Sequence, residues 1–238
     1  LREKINVLER LMSANEWDKI EFDKIPSKAG LIYKNAFARR DIIAKKYEAF
    51  AKDKNTKVNA ETLYPYEIVE KARAIGYASL ESTTRLMINK YWESLPDYLN
   101  GADCSMMCVV DTSGSMHGTP MNVAISLGMY CAERLNGPFK NNYISFASRP
   151  QLININGIDF VDKVKRIYQT NLCDNTNLAA VFDLLLSIAK RPEVKKEDIP
   201  KTIVVISDME IDNATGARGF SWSRNLSGWS KENITTEM

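Results

Sequence analysis

The feature that most constrains this chain is a change of hydrophobic period near residue 100. Before it, apolar residues recur at helical spacing. Ile5, Leu8, Leu11 and Met12 do so within 3–17, the pattern repeats over 31–50 and 68–75, and Leu80, Leu86, Met87, Tyr91 and Leu95 carry it through 79–98. Recurrence at three and four residues places these side chains on one helical face. Pro26, Pro65 and Pro96 punctuate the segments. From residue 104 short apolar runs alternate with helical stretches. Met106–Val110 has the length and continuity of a strand buried on both faces. Tyr143–Ala147 reads as a second strand, and Gln151–Asn156, interrupted by polar residues, as an edge strand. Ile203–Ile206 is the most β-branched run and reads as a central parallel strand.

Between these runs three helices are predicted. The first follows Thr119 as cap and Pro120 as opening residue, with Ala124, Leu127, Gly128, Cys131 and Leu135 inward. The second spans 160–168, with Phe160, Val161, Val164 and Ile167 inward, and the third spans 178–190, on Val181, Phe182, Leu185 and Ile188. Strand–helix alternation of this kind folds as a doubly wound α/β sheet, and right-handed crossovers leave few topologies, 3-2-1-4 among them. The expected organisation is an all-α region at 1–100, compatible with a HEAT-like array, followed by an α/β domain at 101–238. No strand pattern follows Asp212, so that sheet is expected to be C-terminally incomplete.

Composition narrows the function classes. An apolar share of 45% and a charged share of 26% describe an ordinary globular chain. The net charge of +2 offers no overall field for a polyanion. No apolar run approaches the ~20 residues of a membrane span, and no signal peptide is visible. Cys104, Cys108, Cys131 and Cys173 lack C-x-x-C spacing, which favours reduced thiols and a cytoplasmic protein. A single histidine, His117, excludes imidazole-rich metal sites. Basic residues crowd 28–57, and Arg39, Arg40, Lys45 and Lys46 could meet an RNA backbone, although such runs ordinarily keep a helix face wet.

The sharpest local signal is Asp111-Thr112-Ser113-Gly114-Ser115, directly after the first buried strand. In an open sheet ligands bind beyond the carboxyl ends of the strands. With the order 3-2-1-4, Ser207-Asp208 after the last strand arrives beside that loop, and Thr176, before the third helix, enters from the same edge. Asp111, Asp208, Ser113, Ser115 and Thr176 make a hard-oxygen set that suits Mg²⁺ best, with Mn²⁺ or Ca²⁺ also admissible. Neutral hydroxyl ligands leave such an ion electron-poor and ready to take a further anionic oxygen. His117 and Asn177 stand at the rim. No nucleophile, base and orienter can be assembled, so a hydrolase is not expected.

The Asp111-Thr112-Ser113-Gly114-Ser115 loop resembles the D-x-S-x-S motif of von Willebrand factor type A domains, with Thr176 and Asp208 matching the motif's later members in order and context. The phrases 110–116, 120–125 and 207–210 resemble the domain-of-unknown-function 2828 family, itself similar to TROVE/Ro-type ribonucleoproteins. The resemblance implies a metal-ion-dependent adhesion site, with Ser113, Ser115 and Thr176 on the ion and Asp111 and Asp208 acting directly or through water. It implies a non-enzymatic module that captures an Asp or Glu of a protein partner, with no membrane and no small-molecule substrate. Asn177 departs from the acid that many relatives carry. An RNA-binding ribonucleoprotein component is the alternative. A Mg²⁺-dependent phosphoryl-transfer enzyme is a third, which lacks a Gly-rich phosphate loop and a lysine beside the carboxylates.

Overall fold

The computed structural model describes residues 7–75, 78–99, 105–170, 176–192 and 194–209. Ile5, Cys104, Cys173 and the sequence beyond Met209 lie outside these ranges. In chain order the elements are α1 (Leu8–Ser13), α2 (Ser27–Arg39), α3 (Asp41–Lys52), α4 (Pro65–Ala74), α5 (Thr83–Glu93), β1 (Met106–Asp111), α6 (Thr119–Arg134), β2 (Asn142–Phe146), β3 (Gln151–Asn154), α7 (Phe160–Gln169), α8 (Leu178–Ala189) and β4 (Thr202–Ile206). The chain forms two compact units, Leu1–Ala102 with Ile155–Thr170, and Asp103–Asn154 with Asn171–Met238. No helix among the described residues is long and apolar enough to cross a membrane.

The helical unit departs from the sequence pattern in three places. The stretch 31–50 is two helices, because Arg40 is extended (φ −92°, ψ 108°) and Asp41 opens α3 with the acidic charge a helix N-terminus favours. Leu80 lies outside α5 and is exposed. The buried face of α5 includes Arg85, Asn89 and Lys90 beside Met87, Ile88, Tyr91 and Trp92. Each of those three polar groups reaches a distant partner. Lys90 Nζ donates to the carbonyls of Phe50 (2.9 Å) and Asp53, covering the orphan end of α3. Arg85 donates twice to Asp159, at 2.8 Å each, and Asn89 Nδ2 donates to the same carboxylate at 2.8 Å. Asp159 also caps α7 by accepting from the Asp162 N–H.

That carboxylate draws α7 into the helical unit. The helix buries the expected Phe160, Val161, Val164 and Ile167, and Phe160 stacks on Trp92 with ring centroids 4.1 Å apart. Its packing partners are α4 and α5. Elsewhere in the unit, Phe22, Phe37 and Tyr47 form an aromatic cluster with centroids 4.8–5.4 Å apart. Lys34 on α2 is 6% exposed, and among the described residues no hydrogen bond or ion pair reaches its amine.

The α/β unit is built on one four-stranded sheet in the order β3-β2-β1-β4. β1 is parallel to both neighbours, with Val109 beside Ile144 and Val205, while β3 pairs antiparallel with β2 at the edge. The sheet is therefore mixed. Successive strand residues point to opposite faces, and both faces carry a helix. Met107, Val109, Ile144 and Phe146 pack with Val181 and Ile188 of α8. On the other face α6 covers Val110 and Tyr143 so closely at Gly128 that an added methyl would run into Val110. The faces of α6 and α8 differ from their predicted stripes. Leu127 and Phe182 are partly exposed, at 37% and 38%, while Met121, Ile125 and Met129 are buried. Among the described residues β4 is the end of the sheet rather than a central strand, and Val205 is 40% exposed.

Two stability predictions follow from the helical unit. Burial pushes the Lys34 amine below its ordinary value, helped by the nearby charge of Lys71. The unfolded chain thus binds the proton more tightly, and stability rises with pH through that window. Lys34→Met is expected to raise the melting temperature at pH 7 by about 2–4 °C, roughly 1 kcal/mol for a chain of this size. The advantage should shrink as the pH approaches 10, as calorimetric scans would read directly. For Asp159, burial alone would raise the pKa, but Arg85, the Asp162 N–H and Asn89 outweigh it and hold it below the ordinary 3.8. Its contribution is complete above that value and lost as pH falls through the lower folded one. Asp159→Ala should cost about 3 kcal/mol in urea titrations by stranding the Arg85 charge, and adding Arg85→Ala should cost little more.

Candidate functional site

The loop after β1 is held by its own first residue. Asp111 closes the strand, fully buried, and its Oδ1 accepts the Ser113 N–H at 2.9 Å. Its Oδ2 accepts the Ser207 hydroxyl, which comes from the end of β4. Ser207 Oγ in turn accepts the Met209 N–H at 2.9 Å. A carboxylate has about four acceptor positions, so the two donors found among the described residues leave the group with capacity to spare. One buried side chain thus ties together the two loops that flank the carboxyl edge of the sheet.

The hydroxyls follow. Ser113 Oγ and Ser115 Oγ lie 3.0 Å apart at the start of a 3₁₀ turn, Gly114–Met116. Ser113 is buried and Ser115 exposed, so the pair runs from the interior to solvent. Thr112 Oγ1, in the same loop, is buried with no hydrogen-bond partner among the described residues. Buried polar atoms without partners cost free energy and are uncommon. Gly118 ends the loop with φ at +91°, a backbone region that a side chain resists, and stands as the N-cap of α6. Thr119 is therefore the first residue of that helix rather than its cap.

Thr176 is buried directly before α8. α8 runs toward the start of β4, which lies beside Met106 at the amino end of β1. Its opposite end, with Thr176, thus faces the carboxyl edge of the strands. Asp208 is exposed and helps line an open apolar groove of about 390 Å³ with Met116, Thr119, Pro120, Val123, Ala124 and Ile206. His117 is exposed, and its N–H closes the 3₁₀ turn on Gly114 at 3.2 Å. The Asn177 side chain accepts the Ala180 N–H at 3.1 Å and so caps α8. Among the described residues no group of three His, Cys, Asp or Glu side chains could hold a metal, so any cation here would depend on the hydroxyls for most of its protein ligands.

Ser207 is the partner that sequence reading passed over. It stood next to Asp208 in the right loop, but only the fold reveals that its hydroxyl meets a carboxylate 96 positions earlier. The four basic candidates fare unevenly. Arg40 lies over the Trp17 ring at 4.7 Å, and Lys46 donates to the Ile20 carbonyl at 2.7 Å and to that of Asp18 at 3.3 Å. All four are exposed, but Arg40 and Lys46 also serve the helical unit itself.

Comparison with known proteins divides the chain where its hydrophobic period changes. Residues 1–102 match a domain of unknown function, DUF2828. The motif phrases that suggested this family lie beyond its match, in residues 105–236, which match a second domain of unknown function, DUF7788. Uncharacterized protein L728 of Acanthamoeba polyphaga mimivirus is 33% identical over 228 residues, covering 89% of this chain and 39% of that protein. The chain therefore spans about two fifths of that relative's length. No solved structure matches. With more than half its residues in the second match, including the whole buried-carboxylate loop and its partner at the end of β4, the chain belongs to the DUF7788 family.

Proposed function

We propose that the loop Asp111–Ser115, with Thr176 and Asp208, is a metal-ion-dependent adhesion site of the von Willebrand A type. The protein would be a non-enzymatic module that takes an acidic side chain of a protein partner. The observation that carries this reading is the arrangement around Asp111. Two hydroxyl oxygens 3.0 Å apart stand two and four residues beyond a fully buried carboxylate that has spare acceptor capacity. That separation is the edge of an octahedron with metal–oxygen distances of ~2.1 Å, the geometry Mg²⁺ demands. A buried carboxylate without a positive neighbour is costly, and a cation offsets that cost. Ser113, Ser115 and Thr176 would hold the ion, with Asp111 and Asp208 beside it. Bound there, Mg²⁺ or Mn²⁺ would supply a positive centre for a partner's carboxylate. The residues of this chain would orient it, and the groove beside Asp208 would face whatever flanks that carboxylate.

Isothermal titration of the full chain with MgCl₂ and with MnCl₂ tests the reading. Saturable binding is expected in the wild type and should be absent in Asp111→Ala. Ser207→Ala removes one hydrogen bond to Asp111, worth about 1 kcal/mol, and should weaken binding about fivefold. A wild-type chain that binds neither ion, or an Asp111→Ala chain that binds as well as wild type, overturns it. Capture of a partner on immobilised wild-type chain, abolished by chelator and restored by Mg²⁺, would extend the result from ion to function.

A further inference from the structure

Two of the four cysteines fall within the described residues, and both are free thiols. Cys108 on β1 is fully buried, and Cys131 on α6 is partly exposed. The packing of α6 explains why they meet. Cys108 and Val110 alternate with the residues that face α8, so they point toward α6. Gly128 has no side chain to hold the helix off, and α6 rides directly on Val110 there. α6 starts beyond the carboxyl end of β1 and runs back along it. One turn onward from Gly128 is Cys131, and two residues back from Val110 is Cys108, so helix and strand bring the two into register. The two thiols share a hydrogen bond.

The pair is also polarised. Cys131 is pulled below the ordinary thiol value, first by its interaction with Cys108 and, against the effect of burial, by Arg134 one turn along the helix. Cys108 is pushed up by that same interaction and by burial. Cys131 is the less buried of the two and stands one turn from Arg134, so it is the thiol that an incoming oxidant meets first. Arg134 is steadied over the Tyr130 ring, 3.7 Å from its centroid. The Tyr143 phenol of β2 shares this face of the sheet.

We propose that Cys108 and Cys131 are a modification site, a thiol pair that a hydroperoxide converts reversibly to a disulfide. In the first step the Cys131 thiolate attacks one oxygen of hydrogen peroxide. A sulfur–oxygen bond forms, the oxygen–oxygen bond breaks, and hydroxide leaves to take up a proton. In the second, Cys108 gives up its proton and attacks the Cys131 sulfenic acid. The sulfur–sulfur bond forms, the sulfur–oxygen bond breaks, and water leaves. Two thiols are oxidised by two electrons, one peroxide is reduced to two waters, and a dithiol restores the pair. The bond would fasten β1 to α6, the strand that ends in Asp111 and the helix that starts at Thr119.

The test is peptide mapping of the full chain after brief treatment with hydrogen peroxide at neutral pH, alkylation and digestion without reductant. The expected product is a Cys108–Cys131 linked peptide, two hydrogens lighter than the sum of its parts and lost on addition of dithiothreitol. Cys108→Ser should leave Cys131 as a sulfenic acid trapped by dimedone, and Cys131→Ser should leave Cys108 a free thiol. Linkage of either residue to Cys104 or Cys173 instead overturns the proposal. So does over-oxidation of Cys131 in the wild type with Cys108 still reduced, or persistence of both thiols while others oxidise. The wild-type map decides by itself if a serine variant fails to fold.

Discussion

The Arg85–Asp159 ion pair organises more of this structure than any other contact. A guanidinium on the buried face of α5 is tolerable only with a carboxylate locked to it. The partner comes from the segment that follows β3, in the middle of the strand–helix alternation. Asp159 answers the charge, caps α7 and accepts from Asn89, so one residue converts a helix that sequence places between strands into a member of the helical unit. The Trp92–Phe160 stack and the apolar face of α7 follow from that docking.

Another carboxylate, the fully buried Asp111, plays the corresponding part in the α/β unit, with a different outcome. Asp159 is answered by a permanent cation, and four donors occupy it. Among the described residues Asp111 has only a backbone N–H and a hydroxyl, both neutral. The first arrangement closes a structural joint. The second leaves negative charge at a sheet edge, beside two hydroxyls, where an ion can complete it. That contrast between a half-buried, fully answered acid and a buried one answered by neutral donors is the physical ground for reading one as architecture and the other as a site.

Much of this was legible in the sequence wherever the information is local. The apolar run of β1, the four inward residues of α7 and the loop Asp111–Ser115 each sit within a few positions of one another, and each stands where the pattern placed it. The order of the strands is one of the few that connection rules allow, but the antiparallel direction of β3 is not written in them. What stayed hidden depends on partners far away in sequence. Arg85, Asn89 and Lys90 look like the wet side of a helix until Asp159 and the end of α3 are brought to them. The break at Arg40 leaves no trace in hydrophobic spacing, because α2 and α3 both continue the same apolar content. Phe182 fits the stripe of α8 yet is partly exposed, since the core beneath that helix is filled from Val181 and Ile188.

The interleaving of the two units has a consequence for how the chain emerges from a ribosome. Of the six α-helices described in the helical unit, residues up to 102 contain five, and the sixth arrives only with residues 160–169. At ordinary synthesis rates the interval is about 3–14 s. During that time Arg85 is without its carboxylate and Trp92 without its stacking partner, while β1, α6, β2 and β3 are already exiting behind them. The helical half therefore cannot finish before the other half has begun, and the two stretches matched by separate families, 1–102 and 105–236, share one folding problem.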